Sequence, residues 1–272
     1  LESRPDQMRL YRHALEQLER VRDYVPGVPR IVIWASKAGA GKTFLTNCFL
    51  REAMARRVQG ASSEEGFRVC PCASSAIAGE ELINGRTAHK ALGLPVVDGD
   101  EPTVHIEVAP HTKKFAELRD LDAIVIDEFY MLDNRNFKAL DEKLRECMAS
   151  HTDAKKSALQ HTPFGGKLLL LIGDENQLPP VCKDGEVQLL HRHFKATEYY
   201  ERAITQTDDG EPLELTFSQR MKEAPEWAAF LEKMKRNDER VCVTGADEVI
   251  PLVELPDCIE HTDISPTHWT GS

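Results

Sequence analysis

The chain has 272 residues, enough to bury one sizeable core and part of a second. Its hydrophobic share of 41% is that of a soluble globular protein, and no apolar run approaches the length of a membrane span, which sets aside a membrane partner. The 34 basic and 45 acidic residues leave a net charge of −11, which counts against non-specific coating of nucleic acid but leaves room for a local groove. The first residue is Leu rather than Met and no signal-peptide pattern follows it, so the start is expected to be a cut from something longer. Pro5-Asp6-Gln7 precedes a helical pattern at Met8, Tyr11, Leu15, Leu18 and Val21, ended by Pro26-Gly27-Val28-Pro29. Alone, Gln7 is a surface residue. Ahead of a nucleotide loop, its amide offers the donor and acceptor that match the edge of adenine.

Ile31 to Trp34 is a short apolar, β-branched run that reads as a buried strand, and it passes at once into Ser36-Lys37-Ala38-Gly39-Ala40-Gly41-Lys42-Thr43. Gly39, Ala40 and Gly41 leave room for backbone N–H groups to turn onto phosphate oxygens at the positive end of the next helix. Lys42 then reaches the β- and γ-phosphates, and Thr43 offers a hydroxyl to Mg²⁺, as in the P-loop pattern G-x-x-x-x-G-K-[ST]. Ser36 stands where that pattern has its first Gly; Ser adopts the strand-leaving turn less readily, so a weakened rather than a lost site is expected. The alternative is a Gly-rich turn with no ligand. The helix that follows has apolar spacing at Phe44, Leu45, Cys48, Phe49 and Ala53. Arg51, Arg56, Arg57, Arg68, Arg86 and Lys90 make a locally basic stretch, which long side chains on a helix also form as an ordinary solvated face.

Gln59 to Gly66 reads as a polar loop and Phe67 to Ala73 as the next strand. Ser74 and Ser75 then open a helix, where they either cap it or meet a polynucleotide phosphate. Thr87 and His89 belong to a second cluster of donors, Asn84 to Lys90. The stretch 95–118 reads as a small insertion, with one alternating run at Val104, Ile106 and Val108 that fits a strand. Leu121 to Tyr130 is a buried strand ending in adjacent carboxylates, an arrangement that places Asp127 on Mg²⁺ and Glu128 on the attacking water. A helix with Phe137, Leu140 and Leu144 follows, then a loop from Ser150 to Gly166. Lys167 to Ile172 is a fourth buried strand, closed by Gly173-Asp174-Glu175-Asn176-Gln177-Leu178-Pro179-Pro180. The remainder is helical in pattern around Tyr199 to Ile204 and Trp227 to Met234, before a Pro-broken tail from Thr244. Alternating strands and helices imply an α/β fold with a mostly parallel sheet and ligands at the carboxyl ends of its strands.

Seven cysteines include no CxxC pair, and Cys70-x-Cys72 lies in an expected strand, so they read as reduced intracellular thiols. His191-x-His193 lacks partner ligands nearby and reads as a solvated turn.

Taken together, AGAGKTFL (Ala38 to Leu45), ASSAIAG (Ala73 to Gly79), GRTAH (Gly85 to His89), IDEFYML (Ile126 to Leu132), PFGGK (Pro163 to Lys167), GDENQLPPV (Gly173 to Val181) and LTFSQR (Leu215 to Arg220) resemble the PIF-type DNA helicases of superfamily 1, most closely the helitron-transposon branch. The resemblance spans about Pro5 to Asn237. It implies a RecA-like P-loop NTPase domain over 1–208 and the start of a truncated second RecA-like domain over 209–272. It also implies ATP hydrolysis with Mg²⁺, coupled to 5′ to 3′ movement on single-stranded DNA and unwinding at duplex junctions. By position, Gln7 would hold adenine, and Lys42, Thr43, Asp127 and Glu128 keep the roles above. Gln177 would sense the γ-phosphate, and Arg220 would reach it from the second domain. Ser74, Ser75, Thr87 and His89 would lie along the DNA backbone. An intracellular setting follows, and the resemblance admits the nucleus.

The sequence ends before the later motifs of the second domain, so the chain as given is expected to hydrolyse ATP feebly and to unwind nothing. A degenerate module that binds nucleotide or DNA without turnover is the competing reading. A small-molecule kinase is the third, and it leaves GDENQLPP without a job.

Overall fold

The structure is a computed structural model that describes residues 4–37, 39–56, 66–97, 102–174, 192–215, 241–243 and 250–252. The chain divides into two compact units, Leu1–Phe217 and Ser218–Ser272.

The first unit runs α1 (Pro5–Arg20), β1 (Arg30–Ser36), α2 (Lys42–Ala55), β2 (Val69–Ala73), α3 (Ala76–Glu81), β3 (Arg86–Thr87), α4 (Ala88–Leu92), α5 (Lys113–Asp120), β4 (Ala123–Asp127), α6 (Asn134–Ala149), α7 (Ala154–Ser157), β5 (Leu168–Gly173), α8 (Glu198–Glu201) and β6 (Glu214–Leu215). The strands form one six-stranded sheet in the order β3-β2-β4-β5-β1-β6, and every strand pair in it is parallel. This is the α/β sheet expected from the sequence. Its three central strands, β4, β5 and β1, read as unbroken apolar runs because helices cover both faces, so neither side chain of each i, i+1 pair meets water. On one face Ile31, Ile33, Ile124, Ile126, Leu169 and Leu171 pack with α4, α5 and α6. On the other, Val32, Trp34, Val125, Leu168, Leu170 and Ile172 pack with α1 and α2. Trp34 and Phe49 meet edge to face there, with ring centroids 6.2 Å apart, and both are fully buried. Phe44, an expected apolar position of α2, is instead 57% exposed, because the buried stripe runs through Leu45, Phe49 and Ala53 at four-residue spacing.

β6 hydrogen-bonds to β1, with Ala35 opposite Glu214 and Ser36 opposite Leu215. The first unit therefore runs past the 208/209 division expected from the sequence. Val104, Ile106 and Val108 form no strand. Ile106 is buried, and Val104 and Val108 pack against the same core, so the alternation marks a segment laid on the domain and not a separate sheet. The PFGGK segment is a tight turn: Phe164, Gly165 and Gly166 have φ of 55°, 62° and 70°. Asp141 Oδ1 accepts the Phe164 N–H, and Asp141 Oδ2 accepts the Tyr199 hydroxyl at 2.9 Å. Lys167, 3% exposed, then donates to the carbonyls of Arg119 and Leu121, both at 2.7 Å, and so holds the end of α5 against the start of β5.

In the second unit, β7 (Val241–Val243) pairs antiparallel with β8 (Ile250–Leu252). The expected helix at Trp227 to Met234 lies outside the described residues. Among the described residues, no helix is long and apolar enough to cross a membrane, and Cys48, Cys70, Cys72 and Cys147 are free thiols.

Candidate functional site

Because the sheet is parallel, the residues that follow β1, β2, β4 and β5 all emerge at one end. The loop after β1 runs to Gly41, which caps α2 with φ of 85°, a left-handed conformation that a side chain resists. A Cβ at Gly41 would also lie 2.7 Å from Gln7 Nε2. Gln7 is 6% exposed, and its Nε2 donates to Ala40 O at 3.3 Å, so α1 delivers this amide onto the loop's main chain. Gly39 precedes it with φ of 74°, and Ala40 is fully buried. Ala38 lies outside the described residues. Ser36 remains in β1 as an extended residue, where left-handed freedom is not required, and its hydroxyl donates to Gly173 O at 3.4 Å.

Lys42 opens α2 and turns its ammonium to the carboxylates after β4. Its Nζ pairs with Glu128 Oε1 and lies 3.5 Å from Asp127 Oδ1. Asp127 is 2% exposed, and burial raises its pKa to about 6, opposed by the nearby Lys42 ammonium and assisted by the Glu128 charge. Glu128 adopts φ 54°, ψ 37°, left-handed for a residue with a side chain, so the chain leaves β4 with a bend that aims its carboxylate at Lys42. Its N–H donates to Asp127 Oδ1 at 2.8 Å. The Thr43 hydroxyl donates to Glu81 Oε2 at 3.4 Å.

The donor set of Thr43 and Asp127 is hard oxygen, which suits Mg²⁺. Among the described residues no group of three or more His, Cys, Asp or Glu side chains could hold a metal alone.

Ser74, Ser75, Thr87 and His89 gather at the β2–β3 edge of the same end, where Ala73 pairs with Thr87. Ser74 Oγ donates to Glu128 O at 2.7 Å, Ser75 Oγ caps α3 by accepting from Ala78 N–H at 3.2 Å, and Thr87 Oγ1 caps α4 by accepting from Lys90 N–H at 3.4 Å. His89 is half-buried in α4, and burial lowers its pKa. In the basic stretch, Arg56 pairs with Glu52 and Glu19, and Arg68 pairs with Asp120, as a solvated face does. Gln177 and Arg220 lie outside the described residues. Asn47 and Glu81, polar residues on α2 and α3 that belong to no motif, join these two helices by hydrogen bonds.

A family model described as PIF1-like helicase matches residues 10–211. The ATP-dependent DNA helicase PIF1 of Saccharomyces cerevisiae is 33% identical over 153 residues, covering 56% of this chain and 16% of that protein. The ATP-dependent DNA helicase Pif1 of Bdellovibrio bacteriovorus is 27% identical over 152 residues, covering 55% of this chain and 29% of that protein. Among solved structures, the Pif1 helicase from Candida albicans matches with a TM-score of 0.58 at 21% identity, over 85% of this chain and 43% of that one. A Bacteroides Pif1 helicase in complex with ADP-AlF3 and ssDNA matches with a TM-score of 0.54 at 23% identity, over 81% of this chain and 46% of that one. These two structures show a shared fold. The chain spans less than a third of the length of these two curated relatives.

Proposed function

Because the chain belongs to the PIF1-like helicase family, we propose that it is the nucleotide-handling part of an ATP-dependent DNA helicase, which couples ATP hydrolysis to 5′ to 3′ movement on single-stranded DNA and to unwinding at duplex junctions. The observation that carries the reading is the placement of Lys42 at the start of α2, between Asp127 and Glu128 at the end of β4. Loop N–H groups and the Lys42 ammonium bind the phosphates, and Gln7 lies against the loop where it can read an adenine edge. Thr43 and Asp127 would hold Mg²⁺, which neutralises charge on the phosphate oxygens when bound. Glu128 takes the proton of the attacking water. Gln177 and Arg220 complete the set as γ-phosphate sensor and second-domain arginine, and residues 218–272 are proposed to begin that domain. Ser74, Ser75, Thr87 and His89 are proposed to lie along the DNA. Membership of the helitron branch rests on the seven motifs quoted above.

The left-handed Glu128 favours catalysis over a degenerate binding module, since a strained conformation of about 1–3 kcal/mol serves a carboxylate that has to be aimed. Equilibrium binding of a fluorescent ATP analogue and of labelled single-stranded DNA, with steady-state ATPase assays, tests the proposal. Mg²⁺-ATP should bind, DNA affinity should fall steeply with salt, and Glu128→Gln should keep ATP bound without turnover. A chain that binds no Mg²⁺-ATP refutes the nucleotide site, and Glu128→Gln with turnover equal to wild type refutes the base.

A further inference from the structure

The Thr43 hydroxyl, the side chain assigned to the metal, is engaged by α3. It donates to the carboxylate of Glu81, the last residue of that helix. The main chain of Glu81 is gripped separately: Asn47, one turn beyond Thr43 on α2, donates from Nδ2 to Glu81 O at 2.9 Å and accepts the Ile83 N–H on Oδ1 at 2.9 Å. The entrance to α3 is tied in turn to the carboxylate strand, because Ser74 N–H donates to Asp127 O at 3.1 Å and Ser74 Oγ donates to Glu128 O. A six-residue helix is thus anchored at its start to the residues after β4 and at its end to the P-loop helix.

Of these ties, Asn47 and Ser74 hold main-chain atoms and have no reason to change when nucleotide arrives. The Thr43 to Glu81 bond does have one. Thr43 Oγ1 reaches Glu81 at 3.4 Å, the outer limit of a hydrogen bond, so a Thr43 oxygen drawn toward a cation held by Asp127 moves out of reach of Glu81.

We propose that Glu81 is a positioning residue that couples Mg²⁺-nucleotide at Thr43 to the grip of the β2–α3 segment on single-stranded DNA, an inference that rests on the function proposed above. With the Thr43 bond in place, the end of α3 is held through both the side chain and the main chain of Glu81. With it given up, only the main-chain grip of Asn47 remains, and DNA then has to order the segment itself. DNA binding is weaker in the presence of Mg²⁺-nucleotide, and by linkage DNA weakens the nucleotide by the same factor. One exposed hydrogen bond supports a factor of roughly two to five.

The test titrates labelled single-stranded DNA into wild type, Glu81→Ala and Glu81→Gln, each alone, with a non-hydrolysable ATP analogue plus Mg²⁺, and with the analogue in EDTA. Glu81 is exposed, so substitution leaves the fold intact, which thermal melting checks. Wild type should show the two- to fivefold weakening with Mg²⁺ and none in EDTA. Glu81→Ala should bind both ligands with no mutual effect, and Glu81→Gln, which keeps an acceptor oxygen, should restore the effect. A Glu81→Ala protein with the wild-type factor overturns the inference, as does a wild type that binds both ligands independently. A wild type that binds neither ligand removes the function proposed above, and this inference with it.

Discussion

Replacing Lys42 by Ala removes the cation shared by Asp127 and Glu128, and the Asp127 part of the cost to the fold is limited by the proton that Asp127 can take up. At pH 7 the Asp127 carboxyl, with a pKa of about 6, is mostly ionised. Without the ammonium its pKa rises further, so the most it can cost is its own protonation, one pH unit or about 1.4 kcal/mol. Glu128, whose side chain is 19% exposed, loses an ion pair that water partly screens, about 0.5–1 kcal/mol. The sum is about 2 kcal/mol at pH 7. At pH 5 Asp127 is already protonated in the wild type, so the loss should shrink to the Glu128 share, below about 1 kcal/mol. Urea melts of both proteins at the two pH values measure this. Nucleotide affinity should fall much further than the stability loss suggests. A charged hydrogen bond to phosphate is worth about 1.5–3 kcal/mol, or at least tenfold in Kd. If Lys42→Ala binds a fluorescent ATP analogue as tightly as wild type, the P-loop assignment is wrong. A stability loss that is the same at pH 5 and pH 7 would refute the pairing of Lys42 with Asp127.

Burial of Lys167 lowers its pKa to about 8 from an ordinary 10.5. Between those values the unfolded chain binds more protons than the folded one, so this residue makes stability rise with pH from about 8 to 10.5, by up to about 3 kcal/mol. The rise is read as the difference from Lys167→Met in denaturant melts across that range, and a flat difference refutes the burial argument. Gly165→Ala should destabilise by about 1–3 kcal/mol, because φ is 62° and the added Cβ would meet Met148 Cγ at 2.7 Å and Leu144 O at 3.0 Å. A thermal midpoint equal to wild type would show that the turn adapts at no cost.

Much of the site was legible because a phosphate loop and a carboxylate-ended strand are local patterns. Gly39 to Thr43 and Asp127-Glu128 each state their chemistry within a few residues, and parallel strands bring their ends together. The same locality explains the strands: runs such as Leu168 to Ile172 can be buried on both faces only inside a covered sheet. What tertiary structure decided is where a side chain with several possible partners goes. Thr43 donates to Glu81, 38 positions away in sequence, Ser74 to Glu128 at a separation of 54, and Lys167 to carbonyls near the end of α5 at 46 and 48. Periodicity has no access to such pairs, because a hydrogen bond depends on the distance between atoms after folding. Phe44 shows the same limit, since residue type makes it a core candidate and only the packing direction of α2 leaves it exposed. The residue types present and the order of the motifs thus determined the chemistry available to this protein. The packing of α1, α2 and α3 around β1 and β4 decided which of those groups touch, because each contact joins elements that are distant in sequence.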